Sequence, residues 1–302
     1  LRRDFIGHVY HKVTGNIAAR KGYATFYTKA PIAYFLAYIA LHSPNNRWKV
    51  DWKKLDSENQ CFKVCDFACG SGTLLSASYA ALQTLYRRTC FDKGDRPDLI
   101  RFHKNVLDNC IWGFDALEHA SQTAAVVLSL HESGVPLEKM RLYHVQIDRT
   151  GSQGSLNFWW ADRQLVPMKR RGVEKVVMEE VSISPFDFII MNPPFSRATA
   201  PGVEGSRPRI FDFVSSTTAF NSLWNVYNRM IRDIESSIRA TGSRLRNKTV
   251  DRLYDQYVGR DRPFIRRNVD PLNAGAALPF WFLADRYLKV GGRLALVLPR
   301  SA

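Results

Sequence analysis

The sequence predicts an α/β protein built on an open parallel sheet. Three observations lead there. Short apolar runs alternate with helix-length ones, a glycine-rich turn joins the first such run to its helix, and a later run stops abruptly at two prolines. Strands alternating with helices give parallel strands joined by right-handed crossovers. Ligands of such sheets collect at the C-terminal strand ends, which is where both the glycine turn and the prolines fall.

Residues 1 to 60 are mostly helical in pattern. "APIAYFLAYIALH" (30–42) carries apolar groups all round, as in a helix packed into a larger body. "CFKVCDFACGSGTLLSASYAALQTLYRR" (61–88) reads as strand, glycine turn and helix. "NCIWGFDALEHASQTAAVVLSLHESG" (109–134) repeats that unit, its strand ending at Asp115 and its helix near Gly134. "MRLYHVQID" (140–148) is the third strand, "FDFIIMN" (186–192) the fourth and "GGRLALVLP" (291–299) the fifth, the last preceded by the helix "PFWFLADRYLK".

Two insertions interrupt the alternation. Residues 157–185 have the pattern of a β-hairpin with a basic tip at Lys169-Arg170-Arg171, and residues 196–275 form a longer basic, helical insertion. Within the latter, Phe220, Leu223, Tyr227, Met230, Ile234 and Ile238 fall at helical spacing, which fits a packing face. The chain thus divides into an N-terminal helical segment (1–60) and an α/β domain (61–302) that carries both insertions. It opens on Leu1 and closes on "LVLPRSA" straight after a strand, as a piece of a longer protein would, with a C-terminal part missing.

The 302 residues carry a formal charge of +15, from 43 Lys+Arg against 28 Asp+Glu. Such an excess suits a polyanionic partner, since each neutralised phosphate releases counterions; a solvated basic surface is the plainer alternative. Five cysteines make no even disulfide framework and have no zinc spacing, so reduced thiols and a cytoplasmic setting are expected. No run is apolar and long enough to span a bilayer, and no signal peptide is read. The seven histidines make no cluster; His8 and His11 share a face if their segment is helical, and no metal is expected.

The chemistry concentrates in three places. In "DFACGSGTLL", Gly70 and Gly72 lie between strand and helix, where glycine lets the backbone approach a ligand that faces the free N–H groups of the helix start. The dinucleotide pattern G-x-G-x-x-G fails at its third place, which is Leu75. Asp115 ends the second strand, where a carboxylate accepts from ribose hydroxyls or, alternatively, caps the next helix. In "NPPF", each proline lacks an N–H and restrains the residue before it. The turn therefore presents carbonyl acceptors and the Asn192 side-chain oxygen, a set suited to an exocyclic amino group with two hydrogens to give. Phe195 adds a face for a planar ring.

With these residues in order, the sequence resembles the S-adenosylmethionine-dependent N6-adenine DNA methyltransferases of restriction–modification systems. It is most similar to type I modification subunits and fused type II enzymes. The blocks that match are "GYATFYTKAPIAYFLA", "DFACGSGTLL", "NPPF" and "LNAGAALPFWFLADRYLKVGGRLALVLPRS", reaching nearly end to end, while 151–185 and 196–270 match nothing. Lys29 stands where the first block usually has proline. The resemblance implies a Rossmann-like S-adenosylmethionine methyltransferase sheet with a helical N-terminal segment and insertions. It implies that Thr28, Asp66, Ala68, Gly70 and Gly72 surround the methionine end of the cofactor, that Asp115 holds the ribose and that Asp148 approaches its adenine ring. Asn192 and Pro193 would bind the target amine, with Pro194 stiffening the turn and Phe195 stacked on the target base.

The implied substrate is double-stranded DNA, with basic segments at Lys169–Arg171 and Arg244–Arg267 as candidate phosphate contacts. No segment reads as a sequence-specific module, so a specificity subunit or fused target-recognition domain is expected. Three alternatives stay open: a methyltransferase acting on a ribosomal RNA amine or protein glutamine, a nicotinamide dehydrogenase, and a non-catalytic DNA-binding subunit of a defence complex.

Overall fold

The computed structural model describes residues 28–42, 50–55, 60–137, 139–147, 152–160, 163–169, 176–194 and 277–298, together with Val9, Arg229, Asp233 and Ser236. Helix α1 (Ala30–His42) and a 3₁₀ turn (Trp52–Lys54) precede strand β1 (Val64–Asp66) and helix α2 (Thr73–Asp92). Next come α3 (Leu99–Asn105), a π-helical turn (Val106–Cys110), β2 (Ile111–Asp115), α4 (Glu118–Ser129) and β3 (Arg141–His144). A 3₁₀ segment (Gly154–Trp159) leads to β4 (Arg163–Lys169) and β5 (Val176–Ser182), followed by β6 (Phe186–Met191), α5 (Ala277–Tyr287) and β7 (Leu288–Leu296).

Five strands form one parallel sheet in the order β3-β2-β1-β6-β7, a Rossmann-like arrangement. The chain builds from β1 outward through β2 and β3, then crosses back to lay β6 on the other flank of β1. That reversal makes the β1/β6 junction the switch point of the sheet.

Alternate side chains along each strand face opposite ways, so the sheet carries two cores. Val64, Ile111, Phe188 and Ile190 pack with α1 and α2 on one face, whereas Cys65, Trp112, Phe114, Ile189 and Met191 pack with α5 and the 3₁₀ segment on the other. The second core is dense in rings. Phe67 stacks on Phe114 at 5.5 Å between centroids, and Phe158 meets Phe114 edge-on at 5.2 Å. Such pairs contribute about 0.5–1.5 kcal/mol each beyond their buried area.

Several expectations change in detail. Helix α1 is not covered all round: Ala33, Ala37 and Leu41 are fully buried, while Ile32, Phe35, Tyr38 and Ile39 are each more than half exposed. The two small alanines let its backbone approach α2 closely, and the bulky residues point away. Helix α4 stops at Ser129 rather than near Gly134, its end tightened by Leu130 N–H to the Val126 carbonyl and His131 N–H to the Leu128 carbonyl. The third strand is shorter, ending at His144, with an isolated bridge between Ile147 and Gln153. The fifth strand begins at Leu288, not at the glycine pair: Gly291 and Gly292 lie within it, where the register against β6 shifts between Phe186 and Phe188.

The expected hairpin is β4 paired antiparallel with β5, although residues 157–159 belong to the 3₁₀ segment. Lys169 closes β4, and Arg170 and Arg171 lie outside the described residues. So does the long insertion, apart from Arg229, Asp233 and Ser236, which are helical. The Arg229 guanidinium sits 5.1 Å from the Trp160 ring centroid. All five cysteines are free thiols and buried. No described helix is long and apolar enough to cross a membrane.

Candidate active site

Strands β1 and β6 are adjacent, with Val64 opposite Phe188 and Cys65 opposite Ile189. Neighbouring strands lie about 4.8 Å apart, so the glycine bend after Asp66 and the Asn-Pro-Pro turn after Met191 leave the sheet side by side. The Met191 carbonyl accepts from Val297 N–H at 2.9 Å, which ties the end of β6 to β7 just before Asn192.

The bend is held by its own backbone and by two carboxylates. Asp66 Oδ1 accepts from Ala68 N–H at 2.9 Å, and Cys69 N–H donates to the Phe114 carbonyl at 2.9 Å. Gly70 N–H donates to Asp115 Oδ2 at 2.8 Å. Gly70 has φ +53, and a Cβ built there meets nothing within 4 Å, so the bend opens onto free space at that residue. Gly72, with φ +80, is the N-cap of α2 and adds no side-chain cap, which leaves the first N–H groups of the helix available. A Cβ on Gly72 would lie 2.8 Å from that of Ala124, so α4 packs directly on this glycine.

Asp115 does not cap α4, whose N-cap is Leu117 and which has no side-chain cap hydrogen bond; its carboxylate instead ties the turn ahead of that helix to the glycine bend. Its Oδ1 accepts from Leu117 N–H, at the N-cap of α4, and its Oδ2 from Gly70 N–H, both at 2.8 Å. Each oxygen keeps a second lone pair for a hydroxyl donor. Burial raises the Asp115 pKa, against which the two amide hydrogen bonds act.

Asp66 is more isolated. It is 1% exposed, and its Oδ2 is a buried polar atom with no hydrogen-bond partner. Burial pushes its carboxyl well above the ordinary carboxylate range; the Ala68 amide opposes this and the charge on Asp115 adds to it. A buried polar oxygen lacking a partner calls for a ligand that brings one. The folded protein holds this proton at a pH where the unfolded chain has lost it. The stabilisation is therefore fully present below the ordinary carboxylate pKa and is lost as pH rises through the raised one. Asp66→Asn keeps the shape and removes the titration. Thermal melts of ligand-free protein should show the variant more stable than wild type by about 2–4 °C near pH 8, the gap closing by about pH 4.

On the other side of the switch point, Asn192 Nδ2 donates to Thr28 Oγ1 at 2.8 Å. Thr28 is 8% exposed and lies two residues before α1, whose first turn is closed by Ile32 and Ala33 N–H groups on the Lys29 carbonyl. Pro193 is buried and Pro194 half-buried. The structure therefore brings Thr28, Asn192 and the prolines to one strand end, and Asp66, Ala68, Gly70, Gly72 and Asp115 to the strand ends beside it. Asp148 and Phe195 lie outside the described residues.

Two features escaped the sequence. The link between Thr28 and Asn192 joins residues 164 positions apart and leaves no local signal. Two histidines also meet where no cluster was read: His103 Nδ1 lies 2.9 Å from Tyr79 OH, and the His131 ring is 4.3 Å from that of Tyr79. His131 Nε2 is 2.7 Å from Ser76 Oγ. This is a polar network beneath α2, with His103 held below its ordinary pKa by burial. His8 and His11 lie outside the described residues, among which no group of three or more His, Cys, Asp or Glu could hold a metal ion.

The N-6 DNA methylase family matches the chain over residues 1–219, and the chain belongs to that family. No curated protein matches it. Among solved structures, it is similar to an ATP-dependent Type ISP restriction-modification enzyme, LlaBIII, bound to DNA. The identity there is 11% over 90% of this chain and 14% of that chain, with a TM-score of 0.47. It is also similar to a modification subunit assigned to a type I restriction enzyme of Vibrio vulnificus YJ016, at 18% identity over 67% of this chain and 30% of that chain, with a TM-score of 0.30. The chain thus spans less than a third of the length of either.

Proposed function

We propose that the chain is the catalytic part of a DNA methyltransferase that moves a methyl group from S-adenosylmethionine to the N6 amine of adenine in double-stranded DNA. We propose further that it serves a restriction–modification or related phage-defence system. Membership of the N-6 DNA methylase family supports the reaction class. The observation that carries the site is the convergence of Asn192 and the glycine bend at one switch point.

The residues present fit the cofactor. Asp66 Oδ2 is a buried oxygen awaiting a partner, Gly70 faces open space, and the start of α2 offers N–H groups. In this reading Thr28, Asp66, Ala68, Gly70 and Gly72 hold the methionine end, Asp115 the ribose and Asp148 the adenine ring. When bound, S-adenosylmethionine supplies an electrophilic methyl group on a sulfonium.

The rest of the work falls to the chain. An adenine amine is a poor nucleophile because its lone pair is delocalised into the ring. Asn192 Oδ1 and the Pro193 carbonyl accept its two hydrogens, favour a pyramidal nitrogen and so restore lone-pair density where the new bond forms. That stabilisation is specific to the transition state. Extruding the base from the duplex costs roughly a few kcal/mol. Stacking on Phe195 offsets about 1–3 kcal/mol of it. In this reading the basic residues Lys169, Arg170 and Arg171 contact phosphates, and sequence recognition comes from a specificity subunit or fused recognition domain.

Long-read detection of modified bases, in DNA from cells carrying the full-length gene, tests the reading. N6-methyladenine at one defined motif is expected. Unmodified DNA alongside transfer to ribosomal RNA or protein glutamine would overturn it.

A further inference from the structure

We infer that Thr28 couples occupancy of the cofactor site to the orientation of the Asn192 side-chain amide. The inference deepens the proposed function and rests on it. The two ends of an amide have nearly the same shape and opposite hydrogen-bonding character, the oxygen accepting and the nitrogen donating. Toward an amine with two hydrogens, only the oxygen end helps; a reversed amide sets donors against donors. Asn192 therefore needs a partner that tells its ends apart.

Thr28 is that partner. Asn192 Nδ2 donates to its Oγ1 at 2.8 Å, so the amide turns its nitrogen end to Thr28 and its Oδ1 end away from it. A hydroxyl alone serves either end of an amide, because it accepts and donates. It discriminates once its own proton is committed to another acceptor. The carboxylate at the methionine end of S-adenosylmethionine, which the proposed reading sets beside Thr28, is such an acceptor. With that proton engaged, Oγ1 offers Asn192 only a lone pair, and the amide is held with Oδ1 toward the target.

The platform beneath is stiff enough for the task. Thr28 is anchored through α1, whose Ala33, Ala37 and Leu41 are fully buried in the core that also contains Leu74 and Leu75 of α2. His42 Nε2 meets the Ala81 carbonyl of α2 at 3.0 Å, and Arg293 Nη1 of β7 donates to the Ala40 carbonyl. Helix α2 itself starts at the glycine bend, so Thr28, the bend and Asn192 share one frame.

The test uses the full-length enzyme, Thr28→Val and Thr28→Ser, and DNA with either adenine or purine, which lacks the 6-amino group, at the target position. Binding is measured with and without S-adenosylhomocysteine, which retains the carboxylate. In wild type and Thr28→Ser, the preference for adenine over purine should rise several-fold on adding S-adenosylhomocysteine; in Thr28→Val it should not change. At saturating cofactor, kcat of Thr28→Val should fall about tenfold, short of the roughly 10²–10³-fold cost of deleting an oriented polar group, while Thr28→Ser restores it. A Thr28→Val enzyme that keeps the cofactor-dependent preference overturns the inference. So does one altered only in S-adenosylhomocysteine affinity, or a serine variant as impaired as the valine one. Melting temperatures of both variants separate these outcomes from misfolding. A wild-type enzyme without adenine methylation would instead count against the proposed function.

Discussion

Asn192→Ala should abolish methyl transfer, with a fall in kcat of at least about 10²–10³-fold, while S-adenosylmethionine affinity stays within about twofold of wild type. The truncated atoms lie on the Asn-Pro-Pro side of the switch point, held by Thr28 at 2.8 Å. The hydrogen bonds described for the glycine bend run among Asp66, Ala68, Cys69, Gly70, Phe114 and Asp115. Single-turnover kinetics and calorimetry on the same preparation check the prediction. Equal loss of binding and turnover would mean that Asn192 braces the fold instead of acting on the amine.

The two glycines of the bend should fail in different ways. Gly70→Val should remove cofactor binding with a modest drop in melting temperature, because its Cβ enters open space and only the positive φ adds strain, about 1–2 kcal/mol. Gly72→Val carries the same kind of backbone strain and also drives its Cβ to 2.8 Å from that of Ala124. Overpacking of that kind costs about 1–3 kcal/mol more, so this variant should melt at a clearly lower temperature. Calorimetric titration beside thermal melts distinguishes the pair. A Gly70→Val protein that binds S-adenosylmethionine normally would show that the free space at this residue serves nothing.

Much of the sheet was legible because it is written locally. The runs through Asp66, Asp115 and Asn192 are strands, closing in the structure at Asp66, Asp115 and Met191, and the glycine turn begins α2 where its spacing says. Boundaries slipped where tertiary contacts outvoted local signals. Gly291-Gly292 reads as a strand start, yet Leu288 already pairs with Phe186, so the strand runs through the glycines with a shifted register. Helix α3 was passed over although Asp98 caps it, its side chain accepting from Arg101 N–H at 2.9 Å. The site was legible as motifs and not as an assembly. Thr28 was read as a cofactor contact, and nothing in the text of the chain says that its hydroxyl meets an amide 164 residues later.

The close seating of α1 has a practical consequence for anyone cutting this protein down. A fragment trimmed to start at β1 would strip Ala33, Ala37 and Leu41 from a shared core, leaving a greasy furrow along α2. It would also discard the hydroxyl that steadies Asn192. Minimal versions should therefore keep the residues from Thr28 onward, however dispensable a stretch ahead of the first strand looks on paper.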